Sequence, residues 1–223
     1  MKNKIAAIVL ACSVFFLILT LSIGLPIYFR PFFYAHIGPL DLVAESGFSR
    51  AEIIEAYNEV LDYLTIPGKP FGTGAMCYSE AGASHFADCR VLFNLNTAVL
   101  LLSALTAVII MLFRRKNKIT DLHIGPFFAG FYGAIAAIVV PLVVGYWASR
   151  NFSKVFTAFH KILFRGKYNW YFDPATDEII NVLPQQFFMN CAILIGVGIV
   201  AFSLSVIVLS LIRFAQDKRK NAL

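Results

Sequence analysis

Residues 156–188 read FTAFHKILFRGKYNWYFDPATDEIINVLPQQFF and separate two hydrophobic runs. A plain connection between membrane spans needs only polar residues and turn formers. Here Phe156, Phe159, His160, Leu163 and Phe164 recur at helical spacing, with Lys154, Lys161 and Arg165 elsewhere on the turn. That pattern predicts an amphipathic helix lying in a membrane interface. Gly166 is expected to cap it. Asn169-Trp170-Tyr171-Phe172 follows as a polar and aromatic run, and Asp173-Pro174 fits the N-cap and N1 positions of a short helix ended by Pro184.

Working outward, the chain has 223 residues, of which 59% are hydrophobic, against roughly 45–50% in soluble domains. Four apolar runs, residues 5–29, 91–113, 124–147 and 187–212, each exceed the roughly 20 residues that a helix needs to cross hydrocarbon. A helix satisfies its backbone polar groups internally, so each run can span. The expected fold is an all-α membrane protein with four transmembrane helices and a small extracytoplasmic helical cap formed by two loops. Its segments are a first span at 1–29, a loop at 30–90, spans at 91–113 and 124–147 joined by residues 114–123, a loop at 148–186, a last span at 187–212 and a tail at 213–223.

Charge sets the expected orientation. Lys2, Lys4, Arg114, Arg115, Lys116, Lys118, Arg213, Lys218, Arg219 and Lys220 fall on one side of this arrangement, with Asp121 and Asp217. Such a basic excess in short segments marks the cytoplasmic side of a cell membrane. The two long loops hold nearly balanced charge and are expected outside. The net charge of +6 is therefore a topology signal, and no nucleic-acid partner is expected.

The N-terminal run imitates a secretory signal, but no small-residue cleavage site precedes Arg30; Val9-Leu10-Ala11-Cys12 also resembles a lipid-attachment box. A retained first helix is the expectation. Phe29, Phe32, Phe33 and Tyr34 read as an interfacial aromatic belt, beside which Arg30 offers a guanidinium to a lipid phosphate or ester oxygen. Ser49-Arg50-Ala51-Glu52 is a capping box. Ile53, Ile54, Tyr57, Val60, Leu61 and Leu64 then line one face of an amphipathic helix that needs a partner surface. Gly130 and Gly133 allow close helix approach in the third span, where Pro126, Pro141 and Gly145 add further small or kinking positions. Cys77 and Cys89 fall where a disulfide can persist, or Cys89 is a small packed residue. No charged residue interrupts a span, which disfavours an ion pathway and favours chemistry at the membrane surface.

Four histidines are present. His123 flanks the third span and His36 has no evident sequence partner. His85 and His160 come from different loops, both at a membrane boundary, with Asp88 one turn from His85. Either histidine alone reads more readily as an interfacial anchor than as a catalyst; the two together, with Asp88, balance those readings. A zinc site of His85, Asp88 and His160 lacks diagnostic spacing, and no serine-hydrolase elbow, phosphate loop or zinc-protease motif is present. No cofactor or metal is expected.

The run Phe159-His160, Trp170, Phe172-Asp173-Pro174, Asp177, Ile180, Pro184 and Phe187-Phe188, with a second block Ser79-Glu80, His85-Phe86 and Asp88, resembles the signature of the lipoprotein intramolecular transacylase (Lit) family of Gram-positive membrane proteins. The resemblance implies an acyltransferase acting on a diacylglyceryl-modified lipoprotein: one acyl chain moves from the glyceryl sn-2 oxygen to the α-amine of the N-terminal cysteine, giving the lyso form. It also implies that His85 and His160 are the catalytic acid–base pair. Asp88 is then expected to orient His85. Phe159, Trp170, Tyr171 and Phe172 are candidate walls of the substrate enclosure. Asn169 and Asp177 are candidate hydrogen-bond partners of the amine or peptide, and Asp173 is a helix cap or a substrate contact. A membrane assembly protein whose cap binds a partner is the non-enzymatic alternative.

Overall fold

The computed structural model describes residues 2–116 and 118–220, without the side chains of Lys2, Val140 and Lys220. The charges read from Lys2 and Lys220, and residues 221–223 of the expected tail, therefore lie outside the described set. In chain order the elements are α1 (Lys2–Tyr28), α2 (Pro31–His36), α3 (Leu42–Ser46), α4 (Arg50–Thr65), α5 (Glu80–Arg115), strands β1 (His123–Ile124) and β2 (Phe127–Phe128), α6 (Ala129–Arg150), α7 (Phe152–Leu163), α8 (Ile179–Val182) and α9 (Gln185–Lys220). Helices α1, α5, α6 and α9 are long and apolar enough to cross a membrane. α5 and α9 each have 36 residues, about 54 Å of helix, far more than the ~30 Å of hydrocarbon requires. Helix formation runs on past the apolar stretch because residues 80–90 contain neither proline nor a β-branched residue.

The chain divides into two compact units. One takes in α1 up to Ile23, Thr97–Tyr146 and α9 from Ile195 on. Its contacts are those of packed spans: Ala7 and Leu10 bury against Ile110, Leu122 and Ala129, and Ile18 against Ala134, Ala137 and Ile199. At Gly133 a Cβ would stand 2.2 Å from the carbonyl oxygen of Ala11, so glycine is what lets α6 touch the α1 backbone. Buried Ser13, Ser22 and Ser210 donate to the carbonyl four residues back, which satisfies hydroxyls that lipid cannot. The third span starts at Ala129, five residues later than its composition predicts. Residues 123–128 instead form a hairpin pairing His123 with Phe128 and Ile124 with Phe127. Gly125, at φ 60°, turns it, so Pro126 sits in that turn and does not kink a span. His123 bonds the Asp121 carboxylate at 2.7 Å.

The other unit comprises Gly24–Asn96 and Trp147–Leu194. The two long connections share one apolar core within it. The predicted stripe of α4 is buried except for Ile54, which is half-buried, the capping box forms with both of its hydrogen bonds, and the partner surface includes Phe33, Ile37, Leu42, Ile179, Val182, Leu183 and Phe187. Tyr57 stacks on Phe33 with ring centroids 3.8 Å apart, and Phe187 meets Phe33 edge-on at 5.2 Å. His36 is not without a partner: its Nδ1 lies 2.6 Å from the Phe32 carbonyl oxygen. Arg30, a candidate lipid contact, also has partners within the protein. Its guanidinium is engaged by Asn58 at 3.0 Å and by the Asp62 carboxylate, tying α4 to the end of α1. All four cysteines are free thiols.

Candidate functional site

Helix α7 begins because Asn151 accepts a hydrogen bond from the Lys154 backbone N–H at 3.0 Å, which satisfies a donor at the helix start. It ends at Phe164, whose N–H still reaches the His160 carbonyl oxygen at 2.8 Å. Gly166 is not the cap as predicted. Its φ of 78° instead closes the next turn, in which the Lys167 N–H bonds the Phe164 carbonyl. Four-residue spacing places Phe152, Phe156 and His160 on one stripe, with ring centroids 6.0 and 4.3 Å apart in succession.

Helix α5 is fixed at its start by residues from the second connection. Ser79 accepts from the Gly82 N–H at 3.0 Å, while the buried Asp177 carboxylate accepts from the Ser79 N–H at 2.8 Å and from its hydroxyl at 2.9 Å. A carboxylate at a helix N-terminus is favoured by the unpaired N–H groups and the helix dipole. Glu178 adds two links to the Cys77 backbone, at 2.7 and 3.1 Å. Gly82 is required beside this clamp, because a Cβ there would lie 2.1 Å from Asp177 Oδ1. Asp177 is therefore committed to anchoring and has no direct contact with either histidine.

The clamp brings His85 to His160. Their ring centroids are 5.8 Å apart at an interplanar angle of 30°, and their exposures are only 6% and 8%. Phe164 packs against both, at 4.7 and 5.7 Å. Trp170 lies 4.9 Å from His160 and Phe172 lies 5.4 Å from His85. Phe159 touches His160 at 5.5 Å and is 52% exposed. Tyr171 stacks on Trp170 at 3.7 Å and is 59% exposed, forming an outer layer.

Asp88 does not orient His85 by a hydrogen bond. Its carboxylate pairs with Lys167 and accepts from Asn169 at 3.1 Å, so it organises the loop that carries Trp170. Asn169 also reaches Ser84 Oγ at 3.3 Å, and the Trp170 indole N–H donates to the Lys167 carbonyl at 3.1 Å. The neighbour of His85 Nε2 is Cys89 Sγ at 3.4 Å. Asp173 does not cap a helix: its carboxylate accepts from the Ala175 N–H at 3.0 Å in a turn, and α8 starts only at Ile179. Arg30 and Asp173 have no contact with the two imidazoles. The sequence alone did not assign Phe164, Phe156, Lys167 or Cys89 to the site. The two phenylalanines were legible in the α7 stripe, whereas Lys167 meets Asp88 across 79 positions with no local signal.

Proton positions follow from the partners. His160 Nδ1 is 2.8 Å from the Phe156 carbonyl oxygen; a carbonyl only accepts, so Nδ1 carries the hydrogen and Nε2 of the neutral ring has the free lone pair. Burial lowers the His160 pKa, with the Phe156 carbonyl working against it. His85 Nδ1 is buried and has no hydrogen-bond partner among the described residues. Among those residues no three His, Cys, Asp or Glu side chains converge as metal ligands.

Comparison with known proteins agrees with this architecture. A structure of the membrane-integral lipoprotein intramolecular transacylase Lit from Bacillus cereus matches at 25% identity with a TM-score of 0.87, covering 98% of each chain. Structures of that protein with an H85R and an H85A mutation match at 26% identity and a TM-score of 0.81. They cover 99% and 98% of this chain, and 95% and 96% of theirs. No curated protein sequence matches. The family model for lipoprotein intramolecular transacylase Lit matches residues 8–188, and the chain belongs to that family.

Proposed function

We propose that this membrane transacylase uses His85 and His160 to move the sn-2 acyl chain of a lipoprotein's diacylglyceryl group to the α-amine of its N-terminal cysteine. The supporting observation is the approach of the two buried imidazoles to 5.8 Å inside an aromatic enclosure. Attack within one head group closes a ring of about eight atoms, which is disfavoured unless a confined site folds the group back on itself. Phe159, Phe164, Trp170 and Phe172 supply those walls.

The amine nitrogen forms a bond to the ester carbonyl carbon and its proton passes to His160 Nε2. The carbon–oxygen bond to the glyceryl group then breaks, and the departing oxygen takes that proton back from His160. With the Cys89 thiol donating to His85 Nε2, the hydrogen of neutral His85 sits on Nδ1, the unpartnered nitrogen, where it donates to the developing oxyanion. A well-placed oxyanion donor contributes on the order of 3 kcal/mol. Asn169, held by Asp88, presents its buried carbonyl oxygen as an acceptor for the amine. The basic ends of the spans then face the cytoplasm, and the site opens at the outer surface of the cell membrane, where lipidated substrates and membrane lipid are met.

Mass spectrometry of N-terminal lipopeptides from cells expressing this chain, against cells without it, tests the reading. An acyl chain relocated to the cysteine nitrogen, with one glyceryl hydroxyl freed, supports it. Unchanged lipopeptides reject it in favour of an accessory role.

A further inference from the structure

At the other end of α5, in the unit that lacks the histidine pair, Arg114, Arg115 and Arg213 line a cavity of about 310 Å³ together with Met111. The guanidinium carbons of Arg114 and Arg213 lie 5.2 and 5.1 Å from the centroid of one ring, Phe128. The two charges are thus no farther apart than those distances combined. Among the described residues none of the three arginines is ion-paired with a carboxylate. Asp121, the acid that feels Arg114, is already bound to His123, and Asp217 makes no ion pair among the described residues. A ring face offsets part of the repulsion between gathered cations; an anion between the two planar forks would offset far more, through charge-assisted hydrogen bonds.

The surroundings select the anion. Leu112 and Phe113 on α5 and Leu209 and Ile212 on α9 are exposed, so the cavity is bordered by the apolar surface of two spans. We propose that it holds the phosphate of an anionic phospholipid, whose acyl chains lie along the exposed apolar flanks of α5 and α9. Basic clusters at span ends recognise such headgroups, and here the Phe128 hairpin fixes two of the arginines in place. The site involves none of the groups assigned to acyl transfer.

The test is native mass spectrometry of the delipidated full-length protein with phosphatidylglycerol, phosphatidylcholine of the same chains, and free glycerophosphate. The wild type is expected to prefer phosphatidylglycerol. Arg114→Gln/Arg213→Gln should lower that preference about ten- to thirtyfold, with helicity and Tm in phosphatidylcholine confirming the fold. The Arg114→Lys/Arg213→Lys pair keeps charge but loses the forks, and should retain a reduced preference. If the Gln pair fails to fold, the Lys pair decides: an undiminished preference overturns the proposal. Equal binding of the two lipids, an unaffected Gln pair, or glycerophosphate bound as tightly as the lipid would each overturn it as well.

Discussion

The chemistry proposed for this chain rests on which nitrogen of His160 is free. Its Nδ1 is committed to the Phe156 carbonyl, leaving Nε2 to accept a proton, and burial keeps the ring neutral to lower pH than an exposed imidazole. The sign follows directly. A base must be unprotonated, and the folded-state pKa lies below the usual ~6.5, so the His160 imidazole of the free enzyme is expected to titrate below pH 6.5, separately from the acid limb that the substrate's own α-amine, of ordinary pKa about 7.7–8.0, gives kcat/KM. Stability should change in the same direction, because the unfolded chain takes up the proton first as pH falls through about 6.5. An NMR titration of the wild type against His160→Gln that places the His160 imidazole above about 6.5 would contradict the assignment. Asp88 acts one step away. Exposed ion pairs such as Asp88 with Lys167 contribute about 0–1 kcal/mol, so Asp88→Asn should barely move Tm. It should nevertheless lower kcat, by up to about a hundredfold if Trp170 shifts by an ångström, with partial recovery in Asp88→Glu. Both histidines were legible in the sequence because each sits in an aromatic setting at a span boundary. The role of Asp88 was not, since helical spacing to His85 says nothing about a lysine 79 positions away.

At the scale of elements, the structure turns on how the start of α5 is held. Asp177, Ser79 and Gly82 form one clamp, and Gly82→Ala would drive a methyl group into the Asp177 carboxylate. Overpacking of this kind costs about 1–3 kcal/mol. We expect Gly82→Ala to lower Tm and, because His85 follows on the same helix turn, to lower activity together with it; a variant of unchanged Tm and rate would show that the clamp is dispensable. Element prediction succeeded where the signal was local and unopposed, as at the Ser49–Glu52 capping box. It failed where two local solutions compete. Asp173 satisfies the Ala175 N–H in a tight turn instead of opening a helix, and Gly125 makes a hairpin out of residues apolar enough to have joined the third span.

For the whole molecule, the count and order of the spans were legible because about 20 consecutive apolar residues admit few other uses. The union of the two long connections was legible as an expectation, because an amphipathic α4 needs a partner surface and the second connection offers an amphipathic face; that the partners would include Phe33 and the short α8 depends on packing no periodicity encodes. The proposed orientation has a simple check in Cys77, an exposed free thiol on the first long connection. A membrane-impermeant maleimide should label it in intact cells and fail to label Cys77→Ser; labelling that requires cell lysis would reverse the orientation. The central claim, that two imidazoles from separate connections share one reaction, is tested most directly by purified protein in lipid nanodiscs with a synthetic diacylglyceryl lipopeptide. Acyl migration to the cysteine amine should fall by about 10²–10⁴-fold in both His85→Ala and His160→Ala at near-wild-type Tm. A rate within twofold of wild type in either folded variant would contradict it.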